Sequence, residues 1–292
     1  MFSYLMRFRK GNTCHASEGL HPVKTALDAS LRWHDKLSFL FLFFFSTHIF
    51  ADDPCGGPSA LLNIVDRPTV ADSACVVPQK KVVIESGFQY QKLQGPGYAE
   101  NFPEAVLRIG LPFHNEFVWV LPNYMHQSIV PHSGATATTV GVKHKVGYNT
   151  HWLGTVESLA TLPTGSPAFG SESVGAALNG IVSYAPNASW DISFMLGVTS
   201  QTEPHANGGG RFQSVNPDLV VTYAVSDKLN FYLEVYGQSK TAPNEGSGFN
   251  TDGGALYLLH PNVSVDFELG QRLSGDLGGF SHYVGAGMAF LS

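Results

Sequence analysis

The chain has 292 residues, of which 14 % are charged and 43 % hydrophobic, with 31 glycines and a formal net charge of −6. A soluble domain carries about 25 % charged residues, so this composition suits a sheet protein whose surface partly faces an apolar medium. The acidic balance argues against a nucleic-acid partner, because phosphate binding calls for a basic patch.

The first 51 residues differ from the rest. They hold Arg7, Arg9, Lys10, Lys24, Arg32 and Lys36, then the apolar run Leu37–Phe45, and close through Ala51 onto the polar Asp52-Asp53-Pro54. A basic region, a short apolar core and a small residue before polar sequence predict a signal peptide over residues 1–51. The core falls short of the roughly 20 apolar residues of a spanning helix. Two features leave an N-terminal membrane anchor open as the alternative: the basic region is long, and the cleavage site lacks its second small residue. Cys55 follows Asp-Asp-Pro rather than a lipobox, which disfavours a lipid anchor.

Residues 52–79 are expected to form an N-terminal periplasmic segment. Its two cysteines, Cys55 and Cys75, are predicted to pair in an oxidising compartment, closing a loop worth about 3 kcal/mol in the chain-entropy model. No histidine stands at ligand spacing from them, so a metal site is the weaker reading. Pro58–Asp66 suits one or two helical turns that end before Arg67-Pro68. Leu61, Leu62, Ile64 and Val65 need cover, which a periplasmic collar or a plug inside a barrel would supply.

From Lys81 onward the sequence has no helical periodicity. Runs of 10–14 residues alternate apolar and polar, with turn residues between them. In Lys81–Leu93, for example, Val82, Ile84, Phe88 and Tyr90 share one face, and Glu85, Gln89 and Gln91 the other. Twelve such runs follow one another to the C-terminus. Short links at Phe113–Glu116, Tyr148–His151, Pro186–Ser189, Ser226–Lys228 and His260–Asn262 alternate with longer ones at Gln94–Pro103, Ser128–Ala135, Pro163–Glu172, Gln201–Phe212, Ser239–Asn250 and Leu273–Phe280. Short periplasmic turns alternating with longer external loops are the habit of outer-membrane barrels. In lipid every backbone amide and carbonyl must be paired, so a membrane sheet must close on itself. The predicted fold is therefore all-β: a transmembrane, antiparallel, up-and-down β-barrel of about twelve strands over residues 80–292. Aromatics near strand ends (Trp119, Tyr148, Trp152, Tyr184, Trp190, Tyr223 and Tyr283) are candidates for interfacial girdles.

The stretch Ser59-Ala-Leu-Leu-Asn-Ile-Val-Asp-Arg-Pro-Thr-Val-Ala-Asp-Ser-Ala-Cys-Val-Val-Pro78, the strand Val82-Val-Ile-Glu-Ser-Gly-Phe-Gln-Tyr90, and the elements Glu104-Ala-Val-Leu-Arg-Ile-Gly-Leu111 and Leu159-Ala-Thr-Leu-Pro-Thr-Gly165 carry a family resemblance. From about Ala60 to the C-terminus the chain resembles the outer-membrane barrels grouped under the name "MetA pathway of phenol degradation". The resemblance implies a location in the cell outer membrane and a role in transport of small molecules, aromatic or apolar ones included. It implies no enzymatic activity. The chain departs from the usual aromatic end of such barrels, since Phe290 is followed by Leu291 and Ser292.

In this reading the inward faces carry Glu85, Arg108, Lys143, Lys145, Glu157, Asp191, Asp218, Glu234, Asp266, Glu268 and Arg272. Charges in a narrow lumen must be paired or hydrated, so they form either a filter for solutes or a salt-bridge network that fills the lumen. Glu85, Arg108 and Glu157 are the leading candidates because they fall near mid-strand. A hydrolase would need a nucleophile, a base and an orienting group. The serines and histidines offer no Gly-x-Ser-x-Gly elbow, and no metal or cofactor motif is found. The expected partners are outer-membrane lipid, a small-molecule solute and the barrel-assembly machinery. The expected function is a channel or transporter for passive uptake. A non-conducting structural or surface-binding barrel is the alternative.

Overall fold

The computed structural model describes residues 53–292, so the expected signal peptide lies outside the described residues. Twelve barrel strands follow in chain order. β1 is Val82–Leu93. β2 runs in two pieces, Tyr98–Phe102 and Val106–Leu111; β3 is Asn115–Val120 with Tyr124–Gln127; β4 is Ser133–Ala135 with Thr139–Tyr148. β5 to β8 are Trp152–Thr161, Gly175–Asn187, Trp190–Thr202 and Arg211–Ser226. β9 to β12 are Leu229–Gln238, Gly248–His260, Val263–Ser274 and Phe280–Leu291. Each strand pairs antiparallel with its neighbours, and β12 returns to β1 in a register running from Val83 opposite Leu291 to Leu93 opposite Phe280. The sheet therefore closes, which removes the unpaired edges a bilayer would punish.

Short links and longer loops alternate as expected, but two of the expected loops are shorter. Tyr98–Phe102 and Ser133–Ala135 belong to strands, where the sequence suggested loop. The interruption in β2 has a local cause: Pro103 has no N–H to give the ladder, and Glu104 takes a positive φ of 47° beside it. The register against β3 is kept across the break, while that against β1 shifts by one residue, so the two pieces behave as one bulged strand.

Period-2 alternation dictates the two faces. Outward residues such as Ile84, Phe194, Leu196, Leu219, Leu233 and Phe267 are exposed large hydrophobics, whereas their immediate neighbours are mostly buried and polar. This inverts a soluble sheet and fits a lipid-facing belt. Aromatics bound the belt at the short-turn end: Trp152 packs on Tyr184 at 4.4 Å and Trp190 on Tyr223 at 4.7 Å. Tyr90 stacks on Tyr98 toward the other end. Tyr283 is not a girdle residue; it faces inward, and its hydroxyl meets Asp252.

The N-terminal segment runs inside this barrel. It begins with the disulfide Cys55–Cys75, whose Cα atoms lie 5.5 Å apart, and a single short helix, α1, Ala60–Ile64. Leu61, Ile64, Val65, Ala74 and Val77 are buried. They form one cluster with inward-facing Leu153, Ile181, Met195, Val220, Leu256 and Leu258 of β5 to β10. The apolar residues that needed cover are thus covered by an apolar patch on the lumen wall, a burial worth about 25 cal/mol per Å². The segment leaves the barrel against β2, where Gly110 lets the Pro78 carbonyl come close; any Cβ at Gly110 would collide with it.

Candidate functional site

The site is the junction between the N-terminal segment and the lumen wall. Among the described residues, ten carboxylates and four cations are buried. Each cation sits where the segment crosses a strand.

Arg67 reaches the wall beside β12. Its Nη1 donates to Glu104 at 2.6 Å and its Nη2 to Asp266 at 3.1 Å, with Glu268 at 3.9 Å. The guanidinium fits because Gly87 and Gly287 face each other in register, and a Cβ on either would collide with it. Two glycines in adjacent strands thus make a notch for one arginine. Glu104 owes its direction to the positive-φ turn after Pro103.

Arg108, fully buried on β2, gathers three acids. Nε donates to Glu116 at 2.6 Å, while Nη1 lies 3.1 Å from both Glu85 and Asp66. It also donates to the backbone carbonyls of Ile64 and Cys75. Lys143 on β4 pairs with Asp66 at 3.1 Å and reaches the Ser73 carbonyl at 3.2 Å. Lys145 stands apart with Asp53 at 2.7 Å, closer to the entrance of the segment.

The carboxylates do more than balance charge. Glu85 accepts the backbone N–H groups of Asp66 and Arg67, Glu234 those of Val70 and Ala71, and Glu116 that of Val77. A buried amide without a partner costs about 1–3 kcal/mol, so the wall supplies acceptors to a segment that has little secondary structure of its own. Thr155 does the converse and donates to the Ala74 carbonyl. Glu157 accepts from Asn179 at 2.8 Å and meets the Asp72 carboxyl.

Of the residues expected at the lumen, Glu85, Arg108, Lys143, Glu157, Glu234, Asp266 and Glu268 converge on the segment. Asp191 does not; it is held by Ser183 and Ser193 on β6 and β7. Arg272, expected inward, is exposed near the rim and donates to Gly275. Sequence reasoning missed Asp66, Arg67, Asp72, Glu104, Glu116 and Asp252. Glu116 was assigned to a turn, yet the turn ends earlier, at β3's first residue Asn115, which puts Glu116 inward. Asp252 sits in phase with Asn250 and Leu256 on β10.

Two cavities flank the segment. One of about 300 Å³ lies toward the short-turn end, between residues 62–75 and β5 to β10, and includes Asp191 and Tyr232. The other, about 90 Å³, lies toward the long loops. It has an apolar side of Val106, Val118, Val120, Leu121 and Met125, and a polar side of Asn101, Asn123, Asn179 and Gln201. Among the described residues no group of His, Cys, Asp and Glu is arranged to hold a metal ion.

The family described as "Putative MetA-pathway of phenol degradation" matches residues 65–287. The chain belongs to this family. The matched region takes in Arg67, the first eleven strands of the barrel and most of β12. Among solved structures, an outer membrane channel from Pseudomonas putida F1 is similar, with a TM-score of 0.62 and 12 % identity over 77 % of this chain and 100 % of that one. The NanC porin is similar with a TM-score of 0.50 and 10 % identity, over 72 % of this chain and 98 % of the other. At such identities the likeness concerns the fold, an outer-membrane barrel. No curated protein matches the sequence.

Proposed function

We propose that the protein is a passive outer-membrane channel, narrowed by its own N-terminal segment, for small neutral solutes, aromatic or apolar ones included. The observation that carries this reading is the pair of cavities on either side of the segment. A barrel built only as a scaffold has no need of space on both faces of its plug. The cavity toward the long loops has the make-up of a small-molecule site, an apolar patch with a few placed amides and the acids Asp66, Asp72 and Glu157 at its border. An aromatic ring can lie on Val106, Val118 and Met125 while a hydroxyl meets Asn123 or Gln201.

The residues named for the lumen take their roles from this reading. Glu85, Arg108, Lys143, Asp266 and Glu268 hold the segment, while Glu157 and Asp191 line the route. The alternative, a non-conducting barrel, draws on the same segment, whose close fit is what a purely structural plug would also show. Neither reading gives the protein an enzymatic role.

Liposome swelling with protein extracted from outer membranes separates the two. The channel reading expects entry of small neutral solutes, faster for a phenol-sized ring than for a disaccharide. Swelling no faster than in protein-free vesicles, for every solute, would favour the structural barrel.

A further inference from the structure

The segment does not fill the lumen uniformly. Residues 69–74 cross it as a bar held at both ends. At one end the Val70 and Ala71 amides are bonded to Glu234 of β9 at 2.9 and 2.8 Å. At the other, Lys143 of β4 holds the Ser73 carbonyl at 3.2 Å, Thr155 of β5 holds that of Ala74, and the disulfide fixes Cys75. Asp72 lies between these two holds. Its side chain is turned to β5, where it meets Glu157, itself held by Asn179 of β6.

Of the residues lining the two cavities, Asp72 is common to both. The 300 Å³ space and the 90 Å³ space therefore both reach Asp72, and the second also reaches its partner Glu157.

We infer that Asp72 and Glu157 form the gate of the channel, and that a solute passes between the bar and β5–β6 while the rest of the segment stays docked. This rests on the channel reading above and locates its route. The gate is steric: two carboxyl groups occupy the neck that joins the cavities. The solute that fits is small and carries no negative charge, since the neck is lined by acids and lies within hydrogen-bond reach of Asn179.

The test is swelling and single-channel current of full-length protein from outer membranes, comparing wild type, Asp72→Ala, Asp72→Asn and Glu157→Ala. Folding is read from heat-modifiable gel mobility, and docking from protection of residues 53–79 against proteinase K. Asp72→Ala removes the partition and is expected to raise solute entry several-fold with the segment still protected. Asp72→Asn keeps the volume and is expected to behave as wild type. Glu157→Ala opens the same neck from the wall side, so it reads the gate even if Asp72→Ala fails to fold.

Entry unchanged in both alanine variants, with wild type conducting, would overturn the gate and leave the channel intact. Entry that rises only together with loss of protection would also overturn it, because opening would then need release of the whole segment. No entry in any of the proteins would overturn the channel reading and the gate with it.

Discussion

The Gly87–Gly287 notch makes the docking of the segment testable with one methyl group. In Gly87→Ala the new Cβ lies well inside van der Waals distance of the Arg67 guanidinium carbon and both terminal nitrogens. All three atoms belong to the far end of the Arg67 side chain, so it is Arg67 that must give way. It then gives up Glu104 at 2.6 Å and Asp266 at 3.1 Å, two partners whose side chains are only 5 % exposed. Breaking a buried ion pair from one side costs about 3–5 kcal/mol. Every 1.4 kcal/mol is about tenfold, so undocking of the segment becomes about a hundred- to a few-thousand-fold more frequent. Proteinase K cleavage within residues 53–79 of the folded barrel reads this directly. Arg67→Ala should show a loss of similar size, and adding Gly87→Ala to it should change little, because the methyl group then enters vacated space. A Gly87→Ala protein as protected as wild type would refute the notch. So would a full second loss in the double variant, which would mean that the substitution acts on the strand and not through Arg67.

Three further outcomes follow from other parts of the molecule. Leu233 on β9 is 61 % exposed on the outer face, so Leu233→Arg should cost the folded barrel about 2–4 kcal/mol if that face meets lipid; urea unfolding in vesicles measures it, and an unchanged midpoint would contradict the belt. The disulfide spans a sequence separation of 20, and replacing both Cys55 and Cys75 by serine should remove about 3 kcal/mol of constraint. Proteinase K should then reach the segment sooner while the heat-modifiable mobility of the barrel persists. The lumen has ten buried carboxylates and four buried cations among the described residues, and such a field enriches cations in a low-dielectric cleft. Any current through the gate variants should therefore favour K⁺ over Cl⁻ in a salt gradient, and a reversal potential of the opposite sign would contradict this charge balance.

The barrel was legible in the sequence because a sheet with lipid on one side and a polar lumen on the other writes its geometry as strict alternation. Val263 to Gly270 and Leu229 to Tyr236 place every side chain on its observed face. Legibility failed where alternation was broken by backbone chemistry. Pro103 splits β2 and made Tyr98–Phe102 look like loop. Gly253 and Gly254 beside Asp252 blurred the inward phase of β10. The lumen charges on the strands, Glu85, Arg108, Lys143, Glu157 and Glu234, could be named by parity alone. Their partners could not. Asp66, Arg67 and Asp72 lie in a segment without periodicity, and no sequence feature connects Arg67 to Gly87 or Val70 to Glu234, 164 residues away. What the sequence did contain was a cost: Leu61, Leu62, Ile64 and Val65 in a segment too short to bury them by itself. That cost is met by Ile181, Met195 and Leu256, which look like ordinary breaks in a polar inner face until the segment is seen lying on them.

The central claim, that the N-terminal segment is docked on wall carboxylates inside a closed barrel, is tested most directly by amide hydrogen exchange of the purified protein. The account predicts that the amides of Arg67, Ala71 and Val77, bonded to Glu85, Glu234 and Glu116 at 2.8, 2.8 and 2.6 Å, exchange as slowly as strand amides of β1 and β12. Exchange of these three at the rate of a free peptide, alongside protected strands, would place the segment outside the lumen and contradict the account.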